Sequence, residues 1–141
     1  MSFGTAVKTV FSKYATFSGR ARRSEFWFWA LFVFLVGAVL AIFVSATNGL
    51  TIDAETMTPT FGATYFVAAL IQLALVLPNL AVTVRRLHDT NRSGFWWFIG
   101  LVPLVGPIVL LVFVILEGTR GPNRFGPDPR VTDAAAPVAQ V

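Results

Sequence analysis

The sequence predicts an all-α, polytopic membrane protein, with three transmembrane helices preceded by an amphipathic interfacial helix. Three observations carry this reading. Of 141 residues, 55% are hydrophobic and 13% charged, and the mean hydropathy is +0.70. A soluble domain of this size could not hide so much apolar surface. The apolar residues fall into three runs, 26–47, 62–84 and 95–116. Each is about 33 Å long as a helix, enough to cross a hydrocarbon core of about 30 Å. Charge collects between the runs, most densely in RRLHDTNRSGFWW from Arg85 to Trp97. Mixed arginine and tryptophan between membrane-length segments marks a lipid–water interface.

The elements follow in order. Within 1–18, Phe3, Val7, Val10, Tyr14 and Phe17 recur at helical spacing, with Ala6 and Phe11 beside them. Thr5, Lys8, Thr9, Ser12, Lys13 and Thr16 take the other face. This fits a helix lying in the cytoplasmic headgroup layer, or one packed on the protein itself. It does not read as a signal peptide, because the long apolar run begins only at Phe26. Ser24 can cap the first span, and Glu25 suits its first turn. Gly37, Ala41 and Ser45 form a small-residue stripe. It allows close packing within the chain, or a seam for a homo-oligomer.

Residues 48–61 carry Asp53 and Glu55 and no basic residue, as a non-cytoplasmic loop does. Pro78 should kink the second span. Gln72, Asn79, Thr83 and Arg86 make a polar stripe along one face of it. Amides at bilayer depth must find partners, so interhelical bonding or a solute path is implied. Pro103, Gly106 and Pro107 interrupt the third run. It either spans as a broken helix or turns back as a re-entrant hairpin. Residues 117–130, rich in glycine and proline, read as an ordered string of turns that closes a single membrane domain over 1–130. Residues 131–141 read as a disordered tail.

Two arguments bear on topology. Residues 23–44 and 92–113 align without gaps at an offset of 69, with eight identities in 22. RSEFW at 23–27 answers RSGFW at 92–96. Duplication or convergence on one membrane-entrance signal explains this, and either implies insertion from the same side. Lys8, Lys13, Arg20, Arg22, Arg23, Arg85, Arg86 and Arg92 would lie inside if both regions are cytoplasmic. The positive-inside rule then gives a cytoplasmic N-terminus and, with three spans, a C-terminus outside. Arg120, Arg124 and Arg130 fit that arrangement poorly, and a re-entrant third segment would remove the misfit.

Cysteine is absent and histidine occurs once, so thiolate or histidine-rich metal sites are excluded, and no cofactor is implied. The net charge of +4 reads as topology and anionic lipid rather than nucleic acid. The candidate lipid-headgroup or partner site comprises Arg20, Arg22, Arg23, Arg85, Arg86 and Arg92, with Trp27, Trp96 and Trp97 and also Trp29 at headgroup depth. Glu25, His88 and Asp89 should form a polar network there, Arg85 pairing with Asp89 at i,i+4 and Glu25 neutralising Arg86. No nucleophile, base and orienting group stand together, so no catalytic residue is expected.

Three blocks resemble the signature of the domain-of-unknown-function 805 family of small bacterial inner-membrane proteins. They are FSGRARRSEFW from Phe17 to Trp27, RRLHDTNRSGFWW from Arg85 to Trp97, and GTRGPNRFGPDP from Gly118 to Pro129. The resemblance covers roughly residues 10–130, with Phe95 where tryptophan is expected. It implies a polytopic protein of the bacterial inner membrane and no activity. The reading that follows is a non-enzymatic structural or accessory membrane protein. The alternative is a small oligomeric transporter or channel component using Gln72, Asn79 and Thr83.

Overall fold

A computed structural model describes residues 1–134. Among these residues five α-helices form: α1 Phe3–Ser12, α2 Arg23–Ala46, α3 Ala63–Asp89, α4 Val105–Ile115 and α5 Pro129–Ala134. A 3-10 helix covers Gly94–Leu101, and two short strands, β1 Leu50–Ile52 and β2 Pro59–Phe61, pair antiparallel. The expected all-helical class thus needs a small amendment in the loop between the first two spans. Asp53 builds that turn: its Oδ1 accepts from the backbone N–H of Glu55 at 3.0 Å and of Thr56 at 2.8 Å. Such an Asx turn reverses the chain locally.

Two helices, α2 and α3, are long and apolar enough to cross a membrane. They pack antiparallel, with Thr47 bonded to Thr64 at one end and Arg85 to Glu25 at the other. Leu31, Phe34, Val39 and Ile42 on α2, and Phe66, Leu70 and Leu73 on α3, are exposed. A membrane solvates such surface; water would not. Pro78 is accommodated inside α3 and is fully buried. Helix α1 lays Ala6 and Val10 on the protein, and Phe11 meets Trp29 edge-on at 5.2 Å. It is therefore packed on its own chain, with Phe3 and Phe11 left partly exposed.

The third apolar run is broken at Pro103–Pro107, as its prolines and glycine led one to expect, and its α-helical part, Val105–Ile115, is shorter than α2 and α3. The run forms the 3-10 helix, a turn at 102–104, and α4. Eight residues of 3-10 helix and eleven of α-helix each rise only about 16 Å, half a bilayer core. The two arms lie side by side, Trp96 meeting Phe113 at 5.3 Å. Pro103 and Pro107 disfavour a continuous helix, and Leu104 turns the chain with φ of 64°. Gly106 makes the turn tight: a Cβ there would sit 1.7 Å from the Ile99 carbonyl oxygen. Both arms therefore end beside the C-terminal end of α3. Gly94 abuts Val84, and the last carbonyls of α4 face Arg86.

Residues 117–128 then run back across the ends of α2 and α3. The tail expected from 131 begins inside α5, and its residues 135–141 lie outside the described part.

Candidate functional site: a buried arginine cluster

The three signature segments meet at one end of the molecule. Arg20 and Ala21 reach it from the stretch before α2, Glu25 from the first turn of α2, Arg85 to Asp89 from the last turns of α3, and Thr119 to Asp128 from the C-terminal strap. Arg85 and Arg86 are fully buried, and Arg20, Glu25, Asp89 and Asp128 nearly so. Charge at this depth survives only when paired and hydrogen-bonded.

The pairing differs from the expected one. Arg85 bonds Glu25 at 2.5 Å, not Asp89. Asp89 takes Arg86, three residues before it, and Arg20 at 2.9 Å. The reason is helical phase. Residue 86 stands close to 89 on one face, and 85 turns toward α2, where Glu25 waits.

The remaining donors of Arg86, Arg23 and Arg20 gather backbone carbonyls, whereas Nε and Nη2 of Arg85 are buried without a hydrogen-bond partner among the described residues. Arg86 donates from Nε to Val114 O at 3.1 Å, and through Nη2 to Leu116 O. Arg23 donates from Nε to Ile115 O at 2.7 Å. Three successive carbonyls at the C-terminus of α4, which lack intrahelical partners, are thus capped by arginine. Arg20 likewise holds Thr119 O, Gly121 O at 2.7 Å and Gly126 O at 3.3 Å. The Thr119 N–H returns a bond to the Asp89 carbonyl at 2.8 Å. Gly118 permits this approach, since a Cβ would fall 1.9 Å from Asp89 Oδ2.

Arg20, Arg85 and Arg86 therefore act as an internal staple, and their side chains do not reach a lipid surface in this conformation. Trp29 is also buried, against Phe11 and Phe32, and so is not available to lipid as expected. The rest of the expected belt is more open. Arg23, Trp27 and Trp96 are exposed, and Arg22, Arg92 and Trp97 are half-buried. Arg92 stacks on Phe113 at 4.2 Å. Arg124 is exposed, and Arg120 keeps 84% of its side chain accessible.

His88 joins the network differently from Asp89. Its Nδ1 lies 3.1 Å from the Gly19 carbonyl, an acceptor only, so Nδ1 carries the proton. The ring stacks on Phe125 at 3.9 Å, and the Arg124 guanidinium lies over the Phe125 ring at 4.7 Å. Asn123 donates to the His88 carbonyl at 2.9 Å. At the end of the strap, Arg130 holds the Asp128 carboxyl well below the usual carboxylate range through its guanidinium and backbone N–H, and the Gly121 N–H adds to this.

Sequence reasoning gives Gly118, Thr119, Asn123 and Phe125 no role in the site, and brings Asp128 and Arg124 to the face of His88 and Asp89 only if the C-terminus is cytoplasmic. The turn-rich block was visible, but its docking partner was not. The polar stripe on α3 is divided. Gln72 borders a cavity of about 390 Å³ between α2 and α3, shared with Gly37 and Ala41. Asn79 and Thr83 border another of about 340 Å³, beneath the hairpin. Thr83 also bonds back to the Asn79 carbonyl at 2.7 Å.

Two apolar helices long enough to cross a membrane, a folded-back apolar hairpin and an arginine staple fit a helical membrane protein. Comparison with known proteins gives the family. Residues 14–127 match the protein family of unknown function DUF805, and the chain belongs to it. It is 42% identical over 122 residues to the inner membrane protein YhaI of Escherichia coli strain K12, covering 86% of this chain and 92% of that one. It is 35% identical to the inner membrane protein YhaH of the same strain, over 86% and 93% of the two chains. The uncharacterized protein YiiR of that strain is 31% identical over 138 residues, covering 80% of this chain and 85% of that one. No solved structure matches.

Proposed function

We propose that this chain is a non-enzymatic accessory protein of the bacterial inner membrane, crossing it twice, with both ends in the cytoplasm and an arginine–tryptophan rim in contact with anionic lipid. The observation that carries the proposal is the convergence of charge. All eleven basic residues precede or begin α2, lie in the last turns of α3 or follow it, or follow α4, and these three ends meet. The opposite loop, 48–61, has only acidic charge. The positive-inside rule favours exactly one orientation for such a molecule, with the cluster in the cytoplasm. The misfit of Arg120, Arg124 and Arg130 disappears, because the re-entrant hairpin returns the strap to the inner face.

The staple itself is structural, so the lipid contacts fall to the rim: Arg23, Arg92, Arg120 and Arg124, flanked by Trp27 and Trp96. Each such cation near an anionic surface contributes about 1 kcal/mol. The test is lipid co-purification. The variant with all four rim arginines changed to glutamine should lose enrichment of phosphatidylglycerol and cardiolipin over phosphatidylethanolamine. Unchanged enrichment overturns the reading. Fluorescent-protein and alkaline-phosphatase fusions after Val141 test the topology; phosphatase activity there would refute it.

A second reading, an oligomeric transporter or channel component, draws on the cavity bordered by Asn79 and Thr83 under a broken apolar segment. It needs several copies, since two spans and a hairpin scarcely enclose a pore. A Cβ added at Gly37 would lie 3.3 Å from the Gln72 side chain of the same chain, which favours use of the Gly37, Ala41, Ser45 stripe within the chain. Cross-linking in membranes that yields only monomers would remove this reading.

A further inference from the structure

We propose that the groove beside His88 is a seat for a single phospholipid, one acyl chain lying in the groove and the phosphate facing Arg124. This deepens the lipid reading above and rests on it. The groove holds about 510 Å³ and runs between α3 and the 3-10 helix. Leu80, Val84, Phe95, Trp97 and Phe98 line it, and Phe17 closes one side. His88 and Ser93 supply polar groups to an otherwise apolar wall, and among the described residues no carboxylate borders it.

Depth and charge argue for this occupant. Helix α3 has 27 residues, about 40 Å, so its last two turns project past a core of about 30 Å. His88 therefore stands at headgroup level, and Leu80, two turns earlier, lies at acyl depth. A groove that is apolar below and basic above matches an anionic amphiphile inserted in the same sense.

The upper end is built for it. Nδ1 of His88 is committed to Gly19, so the neutral ring presents Nε2 as an acceptor, and a protonated ring presents it as a donor. Phe125 fixes the ring by stacking, and Arg124 is carried on Phe125. Arg124 spends one bond on the Asn91 carbonyl at 3.2 Å, and its side chain is exposed. Arg124 does not line the groove, but its bond to Asn91 and its seat on Phe125, which stacks on the lining residue His88, keep a cation near the groove's polar end.

The experiment is native mass spectrometry of the full chain, purified in mild detergent and supplied with phosphatidylglycerol, phosphatidylethanolamine or ubiquinone. The unaltered chain should retain one phosphatidylglycerol per protomer at collision energies that strip the remainder. Leu80→Trp, which fills the groove, should lose that retained lipid. Ile42→Trp, on the exposed flank of α2, should keep it. Arg124→Gln should keep one lipid and lose the preference for phosphatidylglycerol over phosphatidylethanolamine. No retained lipid, retention undiminished in Leu80→Trp, preferential retention of ubiquinone, or a dimer lost with Leu80→Trp would each overturn the proposal. The quadruple rim variant contains Arg124→Gln, so Arg23→Gln with Arg92→Gln and Arg120→Gln separates the two ideas. That triple variant should lose bulk anionic enrichment and keep the retained lipid. The reverse pattern would leave the seat standing while the rim failed.

Discussion

Residues 23–44 and 92–113 begin with the same signal, a basic residue, a serine and an aromatic pair, and become different structures. The first is the start of one unbroken helix, α2. The second is a 3-10 helix, a turn and the larger part of α4, with both ends on one side. The difference lies in a few positions. Phe34 and Ala38 of the first correspond to Pro103 and Pro107 of the second. Proline removes a helix donor and clashes with the preceding turn, at about 3 kcal/mol or more in a helix interior. The shared opening signal thus does not decide whether the segment continues as one helix.

The sharpest test uses a position both segments share. Gly37 and Gly106 correspond, and each precedes or follows the same apolar neighbours. At Gly106 a Cβ would meet backbone at 1.7 Å, whereas at Gly37 it would meet only the end of the Gln72 side chain at 3.3 Å. Gly106→Ala should therefore prevent the hairpin from closing, at more than about 5 kcal/mol. Gly37→Ala should stay within about 1 kcal/mol of neutral, because helix propensity offsets a small shift of Gln72. Thermal unfolding of both variants in detergent measures the contrast. Equal losses would show that the close approach at Gly106 is not what shapes the hairpin.

Next in size is the charge found in only one of the pair. Glu25 corresponds to Gly94. Glu25→Gln would leave Arg85 buried without a counter-charge, for a loss of about 3–5 kcal/mol. Asp89→Asn should match it, since both Arg20 and Arg86 lose their partner. The double variant Glu25→Gln with Arg85→Met should recover part of the loss, because neither charge is then stranded. Failure to recover would mean that the pair does more than neutralise itself.

The basic residue that opens each segment tests a smaller term. Arg23 caps the Ile115 carbonyl and Arg92 stacks on Phe113, so both steady α4 from opposite segments. Arg23→Gln should cost about 1–2 kcal/mol, as an exposed, charged hydrogen bond to a helix terminus. Arg92→Gln should cost about 0.5–1 kcal/mol, the worth of a cation–aromatic contact. Reversal of that order would place more weight on the stacked pair than its exposure allows.

What the sequence made legible follows from this comparison. The spans α2 and α3 were readable from apolar length, their approximate ends from Ser24, Glu25 and Arg85, and the family from three motifs. The hairpin was readable only as one of two outcomes, because prolines forbid a helix without saying which way the chain leaves. The cluster's membership was largely readable, since buried charge must pair. Its pairing was not: whether Asp89 takes Arg85 or Arg86 depends on the phase in which α3 meets α2. The strap's role was hidden for a related reason. Arg20 and Arg86 bond its carbonyls and those of α4, and a carbonyl has no identity in the sequence.

The strap also separates the two segments in how they respond to acid. The single helix α2 holds itself together, whereas the hairpin's end is held by 117–130, and that strap is held partly by Asp128. The Asp128 carboxyl is depressed well below the usual range by Arg130 and by the backbone N–H groups of Arg130 and Gly121. A carboxylate depressed on folding contributes stability that is fully present above its unfolded pKa, about 3.9, and is lost as pH falls from there toward its folded value. Asp53 is also depressed, by Thr56 and Glu55, and lies in the exposed loop far from the hairpin. Acidification from pH 5 to 3 should thus lower the melting temperature of the unaltered chain by more than that of Asp128→Asn, which should already be lowered at neutral pH. Hydrogen exchange over that range should show residues 117–130 opening before α2. If α2 opens first, or if Asp53→Asn removes the pH dependence and Asp128→Asn does not, then the strap is not what closes the hairpin.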